Sequence, residues 1–143
     1  MSTKLTFSRF VLIVAEERDA SADEVEPTIS KALTEEALTA PFGGPDEYVL
    51  YSDPILEAAL CCFELIHRRP LRRDNKRVAY KCLHEMLVRH PWANFDADPK
   101  RISEMLDGVG DGSKDEDEFV DWVRAEAGMV AWLRYQQRSG STA

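Results

Sequence analysis

Apolar residues recur at three- and four-residue intervals along most of this chain, a period that predicts helices almost throughout. Phe10, Val11 and Val14 mark a short first helix, and Ile29, Leu33 and Ala37 mark a second that stops at Pro41. Asp53-Pro54 places an N-cap and a first-turn proline before a helix through Leu65 or Ile66. That helix is apolar on nearly every side, which suits the middle of a bundle. The stripe Val78, Ala79, Cys82, Leu83, Met86 and Leu87 predicts a helix from Asn75 to Arg89, stopped near Pro91. Asp98-Pro99 opens another that ends at Gly108 or Gly110. The last helix shows Phe119, Trp122, Val123, Met129, Val130 and Leu133 on one face, with Gly128 as a candidate kink. Phe42-Gly43-Gly44-Pro45 reads as a turn, and Tyr48-Val49-Leu50-Tyr51 as either a short β flap or an ordered loop. The expected fold is therefore all-α, a single domain over residues 1–143, bundled around two central helices at 53–66 and 75–89.

A chain of 143 residues can bury roughly two-thirds of its unfolded surface, so it needs no disulfide or metal to fold. Cys61, Cys62 and Cys82 fall inside apolar helical stretches and form neither a zinc-ligand spacing nor a disulfide framework, which predicts a reducing, cytoplasmic setting. The apolar run Phe10 to Ala15 is too short for a signal sequence or a membrane span, so no membrane partner is expected. Residues Asp107 to Glu118 carry Asp, Gly and Glu at three positions of an EF-hand loop. Val109 at a ligand position and Lys114 at the usual apolar one argue against calcium. His84 and His90 do not share a helical face and read as surface or helix-end residues, and Trp122 and Trp132 as core or interface aromatics.

Charge changes the picture at one place. The chain has 26 Asp and Glu against 18 Lys and Arg, a net charge of −8, yet six of those cations fall in residues 67–77. They are Arg68, Arg69, Arg72, Arg73, Lys76 and Arg77, with Asp74 the single carboxylate among them. They crowd the start of a predicted helix, where the unpaired amides are already partially positive and each exposed cation costs about 0.3–1 kcal/mol. An anion held by the loop reverses the sign of those terms, and phosphate is the natural candidate. The acidity of the rest of the chain argues against broad nucleic-acid binding, which needs an extended basic surface.

The order of residues is as telling as their charge. Pro70-Leu71-x-x-Asp74-Asn75-Lys76-Arg77-x-Ala79 at a helix start resembles the signature loop of the Fic/Doc family, His-x-Phe-x-Asp/Glu-Gly/Ala-Asn-Lys/Gly-Arg followed by a buried helix. Weaker similarities flank it: Ala37 to Gly44 before the central helices, Glu57-Ala58-Ala59-Leu60 at the first of them, and Glu118 to Arg124 in the late helix. The resemblance implies that Asn75, Lys76 and Arg77 contact the phosphates of a nucleotide such as ATP or ADP. It also implies that Leu71 takes the place of the loop-anchoring Phe. The family His, which takes the proton from a target protein's hydroxyl, falls on Arg69, and the acid that positions magnesium falls on Arg73. Asp74 stands where the family has a small residue, and its carboxylate reads as the N-cap of the helix that follows. Arginine is a general base at no physiological pH, and a cation does not coordinate magnesium. His67 lies two residues early as a substitute base.

The resemblance thus implies a Doc-like toxin module, or a decayed relative of one, that keeps an anion site at Arg69, Arg73, Asn75, Lys76 and Arg77 and has lost the transfer reaction. Two other readings stay open at this level: an active AMP- or phosphate-transferring toxin with a rearranged base, and a non-enzymatic module whose basic loop grips an acidic partner. Self-restrained family members carry Ser/Thr-x-x-x-Glu, and no Ser or Thr here is followed four residues later by Glu. Any antitoxin is therefore expected on a separate chain, or none is needed.

Overall fold

A computed structural model of the chain describes residues 4–42, 53–89, 95 and 97–127. Among them are seven α-helices: α1 (Phe7–Arg18), α2 (Ala22–Val25), α3 (Lys31–Thr39), α4 (Pro54–Arg68), α5 (Asn75–Val88), α6 (Pro99–Asp111) and α7 (Glu116–Ala127). Two 3₁₀ turns follow α2 and α3, at Glu26–Thr28 and Ala40–Phe42. The fold is an all-α bundle. Side-chain caps define most of the starts: Thr6, Ser21, Ser30, Asp53 and Asp98 each accept an N–H from the first turn that follows. Pro54 and Pro99 occupy the first helical position, where the missing N–H removes no helical bond.

As the hydrophobic pattern predicts, α4 and α5 form the centre. α4 buries Ala58, Ala59, Cys61, Cys62, Leu65 and Ile66, and packs against α3, α5, α6 and α7. α5 turns Val78, Ala79, Cys82, Leu83, Met86 and Leu87 inward, against α4, α1 and α6. α1 adds Phe10 and Val14 to the same core, and α7 adds Phe119 and Val123. The three cysteines are free and buried, and burial pushes the Cys61 thiol up to about 12 and the other two well above their ordinary range. They behave as small core residues and not as nucleophiles.

Both α4 and α6 end later than expected. α4 runs on to Arg68, whose guanidinium is held by Glu64 at 2.7 Å and Glu36 at 2.6 Å. α6 passes through both Gly108 and Gly110 and stops at Gly112, which adopts the left-handed conformation at φ 86°. The chain then returns so closely that the Lys114 N–H donates to the Gly108 carbonyl at 2.9 Å, and a Cβ on Gly108 would meet Lys114. Only residues 112–115 separate α6 from α7, so the EF-hand spacing falls mostly on helix and forms no calcium loop. The Gly43–Pro45 part of the expected turn, the Tyr48–Tyr51 flap, His90, Gly128 and the apolar positions 129–133 lie outside the described residues. Among the described residues no helix is long and apolar enough to cross a membrane.

Candidate functional site: a cationic cleft at the loop between the central helices

The loop joining α4 to α5 is fixed through its backbone. The Arg69 N–H still donates to Leu65 at 3.2 Å, but Arg69 itself turns left-handed at φ 49°, which ends α4. The Pro70 carbonyl accepts from Ser30 N–H at 2.9 Å, tying the loop to the start of α3. Leu71 is buried in the core and acts as the anchor. Asn75 closes the turn: its Oδ1 accepts from Leu71 N–H at 3.0 Å and its Nδ2 donates to the Leu71 carbonyl at 2.9 Å. The Arg73 carbonyl accepts a long 3.4 Å bond from Arg18 on α1. Asp74, expected to cap α5 with its carboxylate, sits at the cap position but makes no capping bond. A capping side chain requires an extended residue, and Asp74 is left-handed at φ 65°, with its carboxylate 3.6 Å from Arg73 Nε. The first turn of α5 therefore has no side-chain cap.

A cleft of about 1170 Å³, open to solvent, lies between this loop, the first turns of α5 and the facing side of α6. One wall is apolar, formed by Ile66, Leu71, Ile102 and Leu106 with the partly buried ring of Tyr80, whose phenol burial pushes up in pKa. The rest is cationic. Arg69, Arg72, Arg73, Lys76, Arg77 and Lys81 line it together with three carboxylates, Glu17, Asp74 and Asp107.

Each of those carboxylates is engaged. Glu17 on α1, with a side chain only 8 % exposed, meets Arg77 Nε at 3.0 Å and the Lys81 ammonium. The Lys81 hydrogen bond, with the charges of Lys81 and Arg77, holds its carboxyl below the usual range despite desolvation. Asp107 on α6 takes Lys76 at 2.9 Å, and Asp74 faces Arg73. Among the described residues no carboxylate meets Arg69 or Arg72. The cleft is thus a rigid backbone carrying a surplus of cations beside an apolar wall.

All five loop positions proposed for anion contact, Arg69, Arg73, Asn75, Lys76 and Arg77, line this one cleft. Their roles are unequal. The Asn75 carboxamide is committed to Leu71, and Lys76 and Arg77 already hold internal carboxylates, so the unpaired charge sits on the loop itself. His67 does not line the cleft: it stacks on Phe63 with ring centroids 4.4 Å apart. Sequence pattern counted Arg72 among the clustered cations without placing it in the site, and missed Glu17, Asp107, Tyr80, Lys81 and Arg18. Only Tyr80 and Lys81 carried a local signal, falling three and four residues after Arg77 and so on its helical face.

The magnesium implied by the family resemblance finds no suitable donors here. It takes oxygen ligands, typically one or two carboxylates with water and phosphate. The three carboxylates of the cleft are already paired with cations, and among the described residues no group of three His, Cys, Asp or Glu is placed to hold a metal.

No protein-family model matches the chain, and no curated protein or solved structure matches it significantly.

Proposed function

We propose that this protein is a phosphate-anion binder of Fic/Doc-like design, taking the phosphates of a nucleotide such as ATP or ADP at the 69–77 loop without catalysing group transfer. The observation that carries the reading is the cleft, where Arg69 and Arg72 face solvent from a fixed backbone with no carboxylate partner among the described residues. Guanidinium groups match phosphate oxygens in pairs, and the uncapped start of α5 adds to the same field. Tyr80 and Ile102 offer a surface for the less polar part of such a ligand. Transfer chemistry needs a base that gains and loses a proton near neutrality. The position that the resemblance assigns to that base holds Arg69, and His67 lies away from the cleft. The resemblance places such a domain in the toxin–antitoxin setting, with any antitoxin on another chain, and the free, buried thiols suit a reducing cytoplasm.

Calorimetric titration of ADP and ATP into the native protein and into Arg69→Ala/Arg72→Ala tests the binding. Saturable heat in the native protein, weakened about tenfold or more in the variant, supports the reading. Equal heats reject it. An assay with α- and γ-labelled ATP in lysate tests the chemistry, and no transfer is expected.

A further inference from the structure

We infer that the cleft selects the metal-free form of a polyphosphate, so that magnesium competes with the protein for its ligand. The inference rests on the anion-site reading above and specifies which ionic form the site takes. Six cations and three carboxylates line the cleft. The fixed surplus is therefore three positive charges, and it attracts an uncomplexed triphosphate more strongly than one from which Mg²⁺ has cancelled two negative charges. The same groups oppose the metal directly. A magnesium ion riding on the phosphates arrives beside Arg69, Arg72 and Arg73, where Arg73 is 76 % exposed and the carboxylate beside it, Asp74, already faces it at 3.6 Å. To complete its shell from the protein, the ion would have to strip Asp74 from Arg73, Glu17 from Arg77 and Lys81, or Asp107 from Lys76. Guanidiniums also bind phosphate oxygens two at a time, and those are the oxygens that magnesium chelates. Charge surplus, paired donors and shared ligand oxygens all act in one direction.

The test is calorimetry on the full chain with two probes, ATP and inorganic tripolyphosphate, each in EDTA and in saturating MgCl₂ at matched ionic strength. Both probes should bind about tenfold or more tightly in EDTA. In Arg73→Gln that preference should shrink to about threefold or less. A circular-dichroism melt checks folding, and Arg72→Gln, also exposed, serves as a second variant with the same expected direction. Equal or tighter binding in magnesium overturns the inference and leaves the anion site standing. Failure of both probes to bind in either buffer overturns the anion site itself, and the inference with it.

Discussion

The Asn75 carboxamide grips Leu71 from both sides, donating to its carbonyl at 2.9 Å and accepting from its N–H at 3.0 Å. A side chain placed by resemblance among the ligand contacts is thus the brace that closes the loop. Arg72 and Arg73 lie inside the braced turn, so their direction depends on it.

Asn75→Ala leaves the Leu71 N–H and carbonyl without their partner. It should destabilise the protein by about 2–3 kcal/mol, the cost of two lost bonds with partly buried groups left unmet. It should also weaken ATP binding although no charge is removed. Urea denaturation gives the first quantity and calorimetry the second; a loss of stability below about 0.5 kcal/mol would mean that the brace is redundant.

Asp74 holds a left-handed conformation without offering a cap in return. Asp74→Gly should raise stability by about 0.5–1 kcal/mol, because glycine takes positive φ freely. The check is the midpoint of urea unfolding. A lower midpoint would show that the 3.6 Å contact with Arg73 is worth more than the backbone strain.

Glu17→Gln separates the internal counter-ion from the ligand site. Freed Arg77 and Lys81 should raise ATP affinity about three- to tenfold. The carboxyl is held below its usual range by Lys81, so the fold favours its ionised form and gains stability above the unfolded pKa near 4.5. At pH 7 the variant should be less stable by about 1–2 kcal/mol. That difference should vanish as pH falls through the lowered folded value, where the native carboxyl also protonates. Denaturation of both proteins from pH 7 to pH 3 gives the profile; a gap that persists in acid would assign the loss to packing.

Helix positions were legible because their signals are local. Asp53-Pro54 and Asp98-Pro99 mark two starts, and the stripe from Val78 to Leu87 marks the buried face of α5. Even the unexpected α2 announces itself, since Ser21 and Glu24 form a capping box at the required spacing. The cleft was half legible. Its cations cluster in sequence, whereas the carboxylates that neutralise some of them come from α1 and α6, across the tertiary fold. The left-handed turn at Asp74 was hidden for another reason. Asp before a helix reads as a cap, and only the loop's closure through Asn75 decides otherwise.

Restoring the family's missing groups should restore chemistry if the loop resembles that family in geometry as well as in sequence. Arg69→His with Arg73→Asp supplies a titratable base and a metal ligand, and adding Asp74→Gly removes the side chain beside the phosphates. Labelled-ATP assays in magnesium should show no transfer by the native protein and measurable transfer by the triple variant. Robust native transfer abolished by His67→Ala would establish a working enzyme with a different base.

The most direct measurement is a crystal structure of the native protein grown with ATP and EDTA. Phosphate oxygens are expected within hydrogen-bonding distance of the Arg69, Arg72 and Arg73 guanidiniums, with the rest of the nucleotide against Tyr80 and Ile102. A nucleotide bound elsewhere, or lying in the cleft with its phosphates turned away from those three side chains, would contradict it.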